Sequence, residues 1–86
     1  MTMTLKDRTK DWTTDNPLRR WRHRERLSMM DASALLNVAM SSVQHWEQGA
    51  HMPNDESLDR LAVAMKVKPA TLRRSWREWY NRRPSP

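Results

Sequence analysis

A chain of 86 residues has room for one small hydrophobic core and leaves little for the large cavity of a typical enzyme. It has no cysteine, which excludes disulfides, thiolate metal sites and a cysteine nucleophile and argues for a reducing, cytoplasmic setting. Lys and Arg number 16 against 10 Asp and Glu, so the formal charge is +6 and the isoelectric point near 10.8, the balance of a protein whose partner is a polyanion.

The basic residues are clustered. Arg19, Arg20, Arg22, Arg24 and Arg26 stand near the start, Arg73, Arg74, Arg77, Arg82 and Arg83 near the end, and the stretch between is nearly neutral. No apolar run approaches the roughly 18 residues that span a bilayer, so no membrane partner is expected. Residues 1–16 are polar, lack the apolar stretch of a secretory signal, and read as a flexible N-terminal arm.

No segment alternates in the manner of a strand, so the expected class is all-α. A first helix begins at Pro17 with Asn16 as cap and runs to about Arg26, turning Leu18 and Trp21 inward. Ser28 and Asp31 have capping-box spacing and open a second helix with an inward stripe of Ala32, Leu35 and Leu36, ended by Asn37. Only Asn37, Val38 and Ala39 separate it from a third helix, Met40 to Gln48, which stops at Gly49. Asn54 caps a fourth helix whose first turn carries Asp55 and Glu56 and whose inward stripe is Leu58, Leu61, Ala62 and Met65. Pro69 starts a fifth, expected to reach about Arg83, with Leu72, Trp76, Trp79 and Tyr80 at helical spacing.

The third helix carries the function. At about 100° per residue, Met40, Ser41, Gln44, His45 and Gln48 fall on one arc and Ser42, Val43, Trp46 and Glu47 on the other. The second arc is mostly apolar. The first is uncharged and rich in hydrogen-bonding groups, as a helix must be if it docks on a core and matches base edges in a major groove.

Leu27 to Gly49, with Leu35-Leu36, Asn37-Val38, Ser41-Ser42-Val43, Trp46-Glu47 and Gly49, resembles the Cro/repressor (XRE-like) helix-turn-helix family of transcription regulators. The likeness extends from Leu18, Trp21 and Arg22 through Met52-Pro53, Leu58, Leu61-Ala62, Ala64, Val67, Pro69 and Leu72. It implies a five-helix, lambda-repressor-like DNA-binding domain over residues 17–72, with the helix-turn-helix made by helices two and three. By the same resemblance Met40, Ser41, Gln44 and His45 read bases, while Arg19, Arg22, Ser28, Ser42 and Gln48 are candidates for phosphate. Family members often pair the positions of Arg22 and Glu47 in a partly buried ion pair, and both partners are present. Three positions depart from the pattern: Met29 where a phosphate-binding Gln is usual, Asn37 where Gly is usual, and Ala39 where Ser or Thr caps the reading helix.

Leu72, Trp76, Trp79 and Tyr80 are more aromatic surface than so short a chain can cover, so residues 73–86 read as an extended C-terminal helix and basic tail that forms a dimer interface. The expected partner is double-stranded DNA bearing a palindromic operator, bound by a homodimeric repressor of phage, plasmid or mobile-element type. The alternative is a protein-binding module, such as an antitoxin, in which the same fold also meets a protein partner. His23 and His51 stand apart from His45 and share no ligand spacing with a carboxylate, so no metal site is expected. With no glycine-rich phosphate loop and no acid–base cluster, neither a cofactor nor enzymatic activity is expected.

Overall fold

The computed structural model describes residues 11–84. Among them every regular element is helical: α1 (Pro17–Arg24), α2 (Met29–Leu36), α3 (Met40–Gln48), α4 (Asp55–Met65) and α5 (Pro69–Asn81), preceded by a helical turn over residues 11–14. No described helix is long and apolar enough to cross a membrane.

Short polar side chains start three of the helices. Asn16 Oδ1 accepts the Arg19 N–H at 3.0 Å ahead of Pro17, which has no N–H to satisfy. At α2, Ser28 Oγ accepts the Asp31 N–H at 3.0 Å and Asp31 Oδ2 accepts the Ser28 N–H at 3.2 Å. Asn54 Oδ1 accepts the Ser57 N–H at 2.8 Å and opens α4. Ala39 gives α3 no side-chain cap, and Lys68 gives none to α5, which begins with Pro69.

The first four helices end alike. A residue beyond each takes a left-handed backbone, at Arg26 (φ 58°), Asn37 (φ 55°), Gly49 (φ 75°) and Lys66 (φ 59°). The N–H after it turns back to a carbonyl of the last turn: Leu27 to Arg22, Val38 to Ser33, Ala50 to His45 and Val67 to Ala62. This reversal ends α1 at Arg24, short of the expected Arg26. α5 stops at Asn81 rather than Arg83, because Pro84 disfavours a helical Arg83.

α1 packs on α3, α2 on α3 and α4, and α5 on α1 and α4. Leu18, Trp21, Ala32, Leu36, Val43, Trp46, Leu58, Leu61, Ala62, Met65, Leu72, Trp76 and Trp79 form the core. Leu35 departs from the sequence reading and is 60% exposed. The two-turn α2 meets its neighbours through the row Ala32 and Leu36, one step round from Leu35.

The C-terminal helix requires a larger correction. Leu72, Trp76 and Trp79, expected at a dimer interface, are buried within the protomer, and only Tyr80 of that stripe remains half-buried, with the Arg83 guanidinium 4.4 Å from its ring centre. The cover comes from residues 11–16, which the sequence reading placed in the flexible arm. Trp12 stacks on Trp79 with ring centres 4.1 Å apart and planes 1° from parallel. Each indole donates to the other's backbone, Trp12 Nε1 to Trp79 O and Trp79 Nε1 to Trp12 O, both at 2.7 Å. Positions 1–10 of the arm and 85–86 of the tail lie outside the described residues.

Candidate nucleic-acid interface

α3 is held on one side and open on the other. Val43, Trp46 and Glu47 are buried, Ser42 is half-buried, and Met40, Ser41, Gln44, His45 and Gln48 are exposed. The four residues expected to read bases therefore share one solvent-facing surface, with Gln48 a turn beyond Gln44. Because Ala39 offers no side chain to cap α3, the first backbone N–H groups of the helix have no side-chain cap.

The inward carboxylate of Glu47 is matched by Arg22. Arg22 Nε donates to Glu47 Oε2 at 2.8 Å and Nη2 to Oε1 at 2.9 Å, a two-pronged pair that is almost wholly buried. Nη1 donates to the Leu27 carbonyl at 3.1 Å. The hydrogen bond to Glu47 holds the Arg22 guanidinium above its ordinary pKa; burial opposes this, and the charge of Glu47 adds to it. Three of the five guanidinium N–H donors of Arg22 are thus used inside the fold and its side chain is nearly buried, which weighs against the phosphate contact expected of it.

The other phosphate candidates differ in availability. Ser28 is exposed, and its Oγ already accepts the Asp31 N–H, which leaves its hydroxyl hydrogen to donate outward. Gln48 is exposed and Ser42 half-buried. Arg19 is half-buried, with an Nε that has no hydrogen-bond partner.

His51 is a residue that the sequence reading missed. Its ring meets that of His45 edge to face, with centres 5.5 Å apart and planes at 64°. The signal was local: a left-handed Gly49 turns the chain back along the last turn of α3, so the segment after Ala50 returns beside His45. Among the described residues no three His, Asp or Glu side chains gather in a way that could hold a metal ion.

A cleft of about 370 Å³ lies elsewhere, between α1 and α5, where Arg20, Trp21, Leu72, Ser75, Glu78 and Arg82 are among its walls. None of the exposed residues of α3 lines it, so the cleft and the outward face of α3 are separate places on the molecule. A family model described as a helix-turn-helix domain matches residues 17–76. No curated protein and no solved structure gives a significant match.

Proposed function

The chain belongs to the helix-turn-helix domain family, and from that premise we propose that it is a sequence-specific regulator of transcription that reads double-stranded DNA with α3. One observation carries the reading: Ser41, Gln44, His45 and Gln48 form an exposed, uncharged, hydrogen-bonding row on a helix whose opposite side is fixed by Val43, Trp46 and Glu47. Hydroxyl, amide and imidazole groups match base-edge donors and acceptors in the major groove. In this reading Met40 and Ser41 meet the first bases, Gln44 and His45 those further along, and Arg19, Ser28, Ser42 and Gln48 position the domain on phosphate.

The finer reading is a homodimeric repressor of the kind that phages, plasmids and mobile elements carry, acting in the cytoplasm on a palindromic operator. Two copies would place their α3 helices about 34 Å apart, one helical turn of DNA. Because Leu72, Trp76 and Trp79 lie inside the protomer, the contact between copies is sought elsewhere, among side chains such as the exposed Leu35 of α2 and Val63 of α4. The decisive experiment is selection of bound duplexes from a random pool, followed by sedimentation with and without the selected site. A shared motif with two-fold symmetry and a mass of two chains per duplex is the expected result. Recovery of no common motif overturns sequence-specific reading, and one chain per duplex overturns the dimer.

A further inference from the structure

The segment before α1 lies outside the residues matched by the family model, yet it holds the end of α3 at two points. Asn16 is fully buried and works in two directions. Its Oδ1 accepts the Arg19 N–H of α1 at 3.0 Å, and its Nδ2 donates to the Trp46 carbonyl of α3 at 3.2 Å. One side chain thus joins the N-terminus of α1 to the last turn of α3. Four residues earlier, Trp12 lies over Gly49, the only glycine in the chain, so closely that a Cβ there would collide with the indole. Trp12 is fixed in turn by its stack and paired hydrogen bonds with Trp79 of α5.

We propose that Trp12 and Asn16 are positioning residues that set the tilt of α3, and through it the fit of the base-reading row. The proposal rests on the reading of α3 as the DNA-reading helix. A nine-residue helix is too short to hold its own shape and takes its position from what it packs against, on its buried side and at its ends. No side chain caps its first turn, so a hold on its last turn matters more. The helix spans about 13 Å, and a rotation of about 5° about the Gly49 end moves Met40 and Ser41 by about 1 Å. Hydrogen bonds to base edges tolerate about 0.5 Å. The residues that pin the far end of α3 therefore act on sequence discrimination without touching DNA.

The test uses the full chain with Trp12→Phe and Asn16→Asp. Trp12→Phe keeps an aromatic ring and removes the N–H that bonds Trp79. Asn16→Asp keeps an acceptor for Arg19 and sets an oxygen against the Trp46 carbonyl. For each, affinity is measured for the duplex selected from a random pool and for a scrambled duplex of the same length at the same salt. Amide exchange is followed in parallel. The expected result is an approximately tenfold smaller ratio of the two affinities, the scale of one lost base contact. Binding to the scrambled duplex should stay within about twofold, because phosphate contacts supply it. Faster exchange should be confined to the amides of Gly49 and Ala50. If the variants exchange faster there and keep the parent's ratio, the segment only stabilises the fold and the proposal is overturned. Should Asn16→Asp fail to fold, Trp12→Phe decides alone. A parent that prefers no duplex removes the premise itself, an outcome distinct from variants that keep the preference of a selective parent.

Discussion

Arg22 of α1 and Glu47 of α3 are joined by two parallel hydrogen bonds, at 2.8 and 2.9 Å, in a place that water hardly reaches. The third bond of Arg22, to the Leu27 carbonyl, ties the same guanidinium to the turn before α2. Three pieces of the domain therefore meet at one side chain. Exposed ion pairs such as Arg60 with Glu56 at 3.7 Å contribute little by comparison, being screened and mobile.

The first prediction concerns this pair. Arg22→Ala strands the Glu47 carboxylate inside the fold and should cost about 3 kcal/mol. Melting should fall by more than about 10 °C. Changing both partners to apolar residues, Arg22→Met with Glu47→Leu, should recover most of the loss, since no charge is then left alone. Thermal unfolding of the three chains checks it, and a single variant that melts with the parent shows that the pair contributes nothing.

What could be read in advance depended on how local the signal was. Asn16 before Pro17, Ser28 three residues ahead of Asp31, Asn54 ahead of Asp55 and Gly49 after Gln48 each declare a helix end through their own chemistry, and each end falls where those residues place it. Arg26 and Lys66 close helices with the same left-handed turn as Asn37 and Gly49, but nothing in an Arg or Lys side chain favours that backbone. Those turns are imposed on an unfavourable side chain and are closed by backbone hydrogen bonds, Leu27 to Arg22 and Val67 to Ala62, which no residue type announces. Trp12 was illegible for another reason: its partner Trp79 is 67 residues away, and the segment between gives no periodic pattern that would bring them together. Missing that contact left the rings of α5 without cover and led to their assignment to a subunit interface.

The second prediction follows from the imposed turns. At Lys66 (φ 59°) an L side chain costs about 1 kcal/mol or more, whereas glycine adopts this backbone freely. Part of the gain is offset by the greater freedom of glycine in the unfolded chain. Lys66→Gly should therefore stabilise the fold by about 0.5 kcal/mol and raise the melting temperature by a few degrees. The mirror experiment is Gly49→Ala, where φ is 75° and a Cβ meets Trp12. That change should cost about 2 kcal/mol or more. Calorimetry of both variants checks the pair of signs, and a stabilised Gly49→Ala contradicts the geometry.

A third prediction comes from withdrawing Arg22 from the phosphate contacts. If Arg19 and one to three of the other arginines of the basic clusters neutralise about two to four phosphates per protomer, a dimer should show a slope of log affinity against log salt near −4 to −7. Arg19→Gln should reduce the magnitude of that slope by about 2 for a dimer. Titrations of one duplex across a range of salt give both numbers. A slope near zero removes the electrostatic basis of the reading, and an unchanged slope in Arg19→Gln removes Arg19 from the contacts.

The last prediction separates reading from holding on α3. Gln44 and His45 are exposed neighbours on the outward arc, and neither side chain is spent on a hydrogen bond among the described residues. Truncating either to Ala costs the fold little, because surface changes away from caps and core usually stay within about 0.5 kcal/mol. On the selected duplex each should lose about 1 to 3 kcal/mol, while the scrambled duplex is bound as by the parent. A glutamine amide sets an N–H donor beside a carbonyl acceptor, the pairing that suits adenine, so Gln44→Ala should relax preference at a single A·T pair. The His45 ring also meets that of His51 edge to face, and His51→Ala tests whether that ring merely orients His45. If it does, His45→Ala and the double variant lose the same amount at the same base pair. Equal losses on every duplex would reassign Gln44 and His45 to the phosphate backbone and leave the reading to Met40 and Ser41.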